Sequence, residues 1–294
     1  MPKEFIEGVV EINPEKEKMP KSVITAYVIR HGESITDKTD PRRGLTEKGK
    51  EQAKEAGRKI AEEIARETGP EVDIELRGFD SGMERTNQTL IEAIRALTDK
   101  GYKVHLPYST QELAQDKFAL EEMEQAGLIR IYGKKQRIRP EAIDFLKPIG
   151  LSKEAKQILA VEAQASGGDL LTAMLTLSPE GTREIKEKGA ETPEEAYQRM
   201  KSGEERESKV AEFLKQRERR PRRLIHIAIS HGYIMGFYLK EKLGIKQAFK
   251  EENIPNCQGF RVDFTGEHGK EPEIKLWGEE IKERIGKLEK RSDK

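Results

Sequence analysis

Two apolar runs rich in β-branched residues lie far apart in the chain, and each ends in a histidine followed by a glycine. The first run covers residues 23–29 and leads into Arg30-His31-Gly32, and the second covers residues 224–229 and leads into Ser230-His231-Gly232. Such runs predict buried strands, and the sequence between them alternates helical and strand-like stretches. This alternation predicts the α/β class, as a three-layer α/β/α sandwich with a mostly parallel central sheet.

The stretch from about residue 115 to 188 interrupts this alternation. It is rich in charged residues, is broken by glycines and shows no clear strand signal. We predict a largely helical insertion, or a cap, within a single domain that spans residues 1–294, because a chain of this length fits one large α/β domain.

Composition excludes several classes of function. Lys plus Arg equals Asp plus Glu, at 54 each, so the zero net charge argues against binding nucleic acid through bulk charge. Cys257 is the single cysteine, which excludes an intrachain disulfide and a zinc cluster of thiolates. The first residues lack a signal peptide's apolar core, and no apolar run is long enough for a membrane span. We expect a cytoplasmic protein without a membrane or nucleic-acid partner; the oligomeric state stays open.

The strand ends concentrate side chains that suit phosphate chemistry. Ligands of open α/β sheets bind beyond the carboxyl ends of the strands, so His31 and His231 are expected to meet in one crevice. Arg30 supplies a fork of donors that fits a phosphate, and neutral histidine can act as a nucleophile near pH 7. Arg85 would lie in the first turn of a helix after the second strand, where anions are favoured.

The ordered set of motifs resembles the histidine phosphatase superfamily, in the branch of the cofactor-dependent phosphoglycerate mutases. Four segments carry the resemblance: Arg30-His31-Gly32-Glu33-Ser34, Leu45-Thr46-x-x-Gly49-x-x-Gln52-Ala53, Ser81-x-x-x-Arg85-x-x-Gln88-Thr89 and Ser230-His231-Gly232. The resemblance implies a phosphatase, namely a metal-independent phosphomonoester hydrolase that acts on a small phosphorylated substrate through a phosphohistidine intermediate. It implies neither a metal nor another cofactor.

The resemblance also implies a role for each catalytic residue. His31 would attack phosphorus, while Arg30, Arg85 and His231 would surround the phosphoryl oxygens and stabilise their charge in the transition state. Glu112, in the loop after the third strand, would protonate the leaving oxygen, and Asp116 is the alternative donor.

The substrate-binding positions implied by the resemblance are those of Ser34, Asp37, Thr46 and Gly232. Asp37 departs from the family pattern, because many relatives carry an asparagine there and an ionised carboxylate cannot donate to phosphate. Thr46 is also the predicted N-cap of the following helix. A phosphoglycerate mutase-type phosphotransferase and a non-catalytic phosphate-binding protein remain alternatives. His226 lies inside a strand and is interpreted as a core residue.

Overall fold

A computed structural model of the chain describes residues 23–35, 43–68, 72–81, 83–107, 129–132, 157–159, 161, 178–188, 191–217, 222–245 and 253–292. They include seven strands and six helices. In chain order they are β1 (Ile24–Arg30), α1 (Glu47–Glu67), β2 (Asp73–Asp80), α2 (Glu84–Thr98), β3 (Val104–Pro107), β4 (Ile129–Tyr132), α3 (Pro179–Glu187), α4 (Pro193–Arg217), β5 (Arg222–Ser230), α5 (Gly232–Leu243), β6 (Gly259–Phe264), β7 (Glu273–Trp277) and α6 (Glu279–Ser292).

All seven strands belong to one sheet, in the order β4-β3-β2-β5-β1-β6-β7. The five strands from β4 to β1 are mutually parallel, whereas β6 runs antiparallel to β1 and β7 runs antiparallel to β6. This arrangement confirms the predicted mixed α/β fold with a mostly parallel sheet. It also places β1 and β5, the strands that lead into His31 and His231, side by side in the centre of the sheet.

Alternate side chains of β1 enter two different hydrophobic cores, one on each face of the sheet. Ala26 and Val28 pack with residues of α4, α5 and α6. Tyr27 and Ile29 pack with residues of α1 and α2, including Ile60 and Leu90. Because successive side chains of a strand point to opposite faces, an apolar run without polar interruption is what a strand covered on both sides requires.

The strands at the two edges of the sheet were not predicted from the sequence. The segment assigned to a largely helical insertion contains strand β4, which extends the parallel sheet beside β3. Strand β7 was not predicted at all: its apolar and charged residues alternate as in a half-buried strand, but the run has only five residues. Within residues 115–188 the structure also describes helix α3 and the buried Leu159; most of that segment lies outside the described residues. No helix in the described part of the chain has the length and apolarity to cross a membrane.

Candidate active site

Parallel pairing of β1 with β5 brings the two histidines together. Arg30 lies opposite Ser230 in the register, and the backbone N–H of His31 donates to the carbonyl oxygen of Ser230 at 3.0 Å. The next residue on each strand is a histidine, and the two imidazole centroids are 5.5 Å apart with a 66° angle between the rings. Both side chains are buried, with exposures of 5% and 1%.

Glycine is required behind His31 because two segments of backbone touch there. A Cβ atom on Gly32 would lie 2.5 Å from the carbonyl oxygen of Gly49, and a Cβ atom on Gly49 would lie 2.1 Å from that of Glu33. Distances this short exclude any side chain without a backbone shift. The first turn of α1 can therefore pack directly against the turn that follows β1, which explains why both motifs contain glycine.

Arg85, in the first turn of α2, joins the two histidines. Its Nε donates to His31 Nε2 at 3.2 Å, and its Nη2 lies 3.4 Å from His231 Nδ1. The side chain is 9% exposed. A guanidinium group carries donors only, so His31 Nε2 accepts from Arg85 with its lone pair.

The tautomer of His31 follows from these contacts. His31 Nδ1 lies 2.7 Å from the backbone carbonyl oxygen of Gly32, and a carbonyl oxygen can only accept. The Nδ1 atom therefore carries the proton, and Nε2 keeps its lone pair. Burial lowers the pKa of His31 to about 3, and the positive charges of Arg85, Arg30 and Arg43 act in the same direction, against the bond to Gly32. His31 is thus neutral near pH 7, as a nitrogen nucleophile must be.

His231 is held neutral by the same surroundings. Burial lowers its pKa well below the usual histidine value, and the charges of Arg85, His31, Arg30 and Arg43 add to the effect. Two neutral imidazoles thus lie within the electrostatic reach of three guanidinium groups. An anionic ligand is what such a pocket favours.

Arg43 is a member of this cationic group that sequence reasoning missed. It directly precedes Gly44, whose carbonyl oxygen accepts from Ile35 N–H at 3.1 Å. The next residue is held as well, because Leu45 N–H donates to Gln88 on α2 at 2.7 Å. The Arg42-Arg43 pair before the Leu45-Thr46 motif was the available signal, but charge alone did not distinguish it from the many other basic pairs of this chain.

A loop before β6 positions the backbone of Arg30 and His31. The amide of Asn256 donates to the carbonyl oxygen of His31 at 2.9 Å, and Arg30 Nη1 donates to the carbonyl oxygen of Ile254 at 2.6 Å. Cys257 N–H donates to Arg30 O at 3.0 Å. Cys257 adopts φ = 55°, a left-handed conformation that costs a non-glycine residue about 1–2 kcal/mol. The sequence analysis assigned no site role to this loop.

The remaining predicted residues separate into two groups. Glu112, Asp116 and Asp37 lie outside the described residues, so their roles stay predictions.

Thr46 caps α1, as predicted, by accepting from Gly49 N–H at 3.0 Å. Ser34 forms a backbone bridge with Leu45, and Gly232 is the first residue of α5. The described contacts give Ser34, Thr46 and Gly232 structural roles and leave their substrate-binding roles as predictions. His226 is a buried core residue, as interpreted.

Comparison with known proteins gives similarity in fold only. A scan against protein-family models found no match, and a search of curated proteins found none either. Among solved structures, a mycobacterial glucosyl-3-phosphoglycerate phosphatase is 14% identical, with a TM-score of 0.42 over 86% of this chain and 97% of its own. Bacillus stearothermophilus YhfR is also 14% identical, with a TM-score of 0.42 over 88% and 99%. A phytase from Klebsiella sp. ASR1 is 13% identical, with a TM-score of 0.34 over 82% and 78%.

At these TM-scores the similarities carry no argument about function. The function of the chain therefore has to be argued from the geometry of the site itself. Two adjacent strands of a mostly parallel sheet each end in a buried histidine, and an arginine from a helix N-terminus joins the two rings. This combination of fold and site agrees with the arrangement that the sequence resemblance implies.

Proposed function

We propose that the chain is a phosphatase that hydrolyses a small phosphomonoester through a phosphohistidine on His31, without a metal ion. The observation that carries the proposal is the pair of contacts that fix His31 with its proton on Nδ1 and its lone pair on Nε2, next to a buried guanidinium. A binding protein needs cations around a phosphate. It does not need a histidine whose tautomer exposes a nucleophilic nitrogen to it.

In the first step, the Nε2 lone pair of His31 forms a bond to phosphorus as the bond between phosphorus and the ester oxygen breaks. The proton stays on Nδ1, so the cationic phosphoimidazole keeps its hydrogen bond to the Gly32 carbonyl oxygen. Arg85 donates to His31 Nε2 in the free protein, and its guanidinium is close enough to donate instead to the phosphoryl oxygens. Fixed donors of this kind stabilise the charge that gathers on those oxygens in the transition state.

The departing alkoxide takes one proton from a carboxylic acid, the role that we assign to Glu112. In the second step, water attacks phosphorus, the bond between phosphorus and nitrogen breaks, and inorganic phosphate leaves. The same carboxylate accepts the proton of the attacking water. The cycle then ends with neutral His31 and a protonated acid, as it began.

The test is a panel of phosphomonoesters, including an aryl phosphate, assayed with EDTA on the wild type and on the His31→Ala variant. We expect turnover without added metal and a loss of at least about a thousandfold in kcat/KM in the variant, because the nucleophile is part of a unit that acts together. His268→Ala is the matched control, because His268 is exposed and lies outside the site. Activity that survives in His31→Ala, or that EDTA abolishes, would refute the proposal.

Two further measurements separate this function from its alternatives. Labelling with a ³²P-substrate should give base-stable, acid-labile phosphoprotein in the wild type and none in His31→Ala. A non-catalytic phosphate-binding protein would bind inorganic phosphate but form no label. Product analysis with a phosphoglycerate would reveal transfer between hydroxyl groups in place of release of inorganic phosphate if the chain were a mutase.

A further inference from the structure

The hydrogen bonds of His231 continue away from Arg85 into a chain of hydroxyl groups. His231 Nε2 lies 2.8 Å from Ser81 Oγ, and Ser81 Oγ lies 3.0 Å from Thr86 Oγ1. Thr86 Oγ1 in turn donates to the carbonyl oxygen of Met83 at 2.7 Å. These residues lie at the end of β2 and in the first turn of α2, so the chain connects His231 to the start of the helix that carries Arg85.

The direction of every bond in this chain follows from the chemistry of its far end. The Met83 carbonyl can only accept, so it receives the single hydroxyl hydrogen of Thr86. Ser81 therefore donates to Thr86 and accepts from His231 Nε2. A neutral imidazole with its proton on Nε2 keeps its lone pair on Nδ1, the atom that lies near Arg85. The backbone N–H of Met83 donates to the same Thr86 oxygen at 3.2 Å.

No other described contact determines which edge of the His231 ring faces His31. Tyr233 stacks on the ring, with centroids 5.7 Å apart and planes 12° apart, and a stacking contact is equally good if the ring turns over. The contact with Arg85 is 3.4 Å long, beyond the usual range for a nitrogen donor. The 2.8 Å bond to Ser81 is the short directional contact of this ring.

We propose that Ser81 is a positioning residue, which accepts a hydrogen bond from His231 Nε2 and donates its own hydroxyl hydrogen to Thr86, so that the Nδ1 edge of His231 faces Arg85. For the reaction this rests on the proposed function: the negative charge of a bound phosphoryl group would favour the protonated ring over the neutral ring of the free site, and the Nδ1 edge of His231 would then donate to a phosphoryl oxygen. Nε2 would meanwhile keep its proton and its hydrogen bond to Ser81.

The tautomer itself can be observed, independently of any activity. In protein labelled with ¹⁵N-histidine, long-range ¹H–¹⁵N correlation spectra report which ring nitrogen of each histidine carries the proton. We expect His31 as the Nδ1–H form and His231 as the Nε2–H form in the wild type. Ser81→Ala should convert the His231 signals to a mixture of tautomers and leave those of His31 unchanged, whereas Ser81→Thr should restore the wild-type pattern.

Kinetics provide the second readout. Loss of a group that orients a metal-binding histidine costs about 10–100-fold in activity. By the same reasoning, Ser81→Ala should lower kcat by about that factor with KM within about threefold, and Ser81→Thr should recover most of it. Ser208→Ala is the matched control, because it removes a partly buried serine hydroxyl that donates to a backbone carbonyl on α4, remote from the site. It should change neither the spectra nor kcat.

The outcomes decide between the two proposals separately. A His231 that remains wholly Nε2–H in Ser81→Ala would overturn the positioning role, whatever the activity. A wild type with the expected tautomers but no turnover would contradict the phosphatase function and leave the role of Ser81 standing. If Ser81→Ala does not fold, Thr86→Val removes the acceptor of the Ser81 proton and should move the same His231 signals; unmoved signals there would also refute the chain.

Discussion

Lowering the pH from 7 to 5 is expected to destabilise the fold through its buried histidines. Burial lowers the pKa values of His31 and His226 to about 3, whereas a histidine in the unfolded chain titrates near 6.5. Between these two values the unfolded state binds protons that the folded state does not. The free energy of unfolding therefore falls as the pH falls from about 6.5 towards 3.

The magnitude follows from the unfolded chain, in which a histidine is about 97% protonated at pH 5. Linkage then gives a loss of about 2 kcal/mol for each buried histidine between pH 7 and pH 5, or about 4 kcal/mol for His31 and His226 together. His231 changes in the same direction, because burial also lowers its pKa. A loss of this size is a large part of the 5–15 kcal/mol that stabilises a typical domain.

The assay is urea unfolding at a series of pH values, for the wild type and three single variants. His226→Gln is expected to reduce the loss between pH 7 and 5 by about 2 kcal/mol, because its ring is buried against Phe79 in the core. His31→Gln should reduce it by a similar amount. The exposed His268 provides the control, and His268→Gln should leave the pH dependence unchanged. A wild-type stability that is flat within about 1 kcal/mol over this range, or an equal effect of all three variants, would refute the reasoning.

Three further changes test single contacts. Arg85→Lys cannot reach both histidines with a planar fork, so kcat/KM for an aryl phosphate should fall by on the order of 100-fold; a change below about threefold would contradict the bridging role. Asn256→Ala removes the donor to the His31 carbonyl and should lower kcat by about tenfold while the melting temperature stays unchanged. A fall in the melting temperature together with kcat would indicate that the variant only damages the fold. Thr46→Ala removes the N-cap of α1 and should lower the free energy of unfolding by about 1 kcal/mol in urea, and an unchanged midpoint would count against the cap.

The central strands were predictable because their sequence meets a strong and local requirement. A strand covered by helices on both faces must be apolar at nearly every position, and β1 and β5 are the two runs that meet this condition most clearly. The edge strands meet weaker requirements. Strand β4 has only four residues, and the rest of its segment shows no strand pattern. Strand β7 alternates apolar with charged residues over only five positions. Neither run was long enough to be recognised as a strand.

The antiparallel direction of β6 could not be predicted from the pattern of apolar and polar residues. A strand's side-chain alternation is the same in either direction, so the sequence of Gly259–Phe264 does not reveal how it pairs with β1. The same limit applies to the loop before it. The contact of Asn256 with His31 joins residues 225 positions apart, and it exists only because β6 lies next to β1.

The sequence by itself determined the α/β class and the residue types at the ends of the central strands, because strand burial and turn glycines act over a few neighbouring residues. The tertiary structure decided everything that depends on register. It brought His31 and His231 together, placed Arg85 between them, joined Ser81 to His231 and set the tautomer of each ring. Hydrogen-bond direction is a property of pairs of groups in space, and these pairs are formed by residues that only the pairing of β1, β2 and β5 makes neighbours.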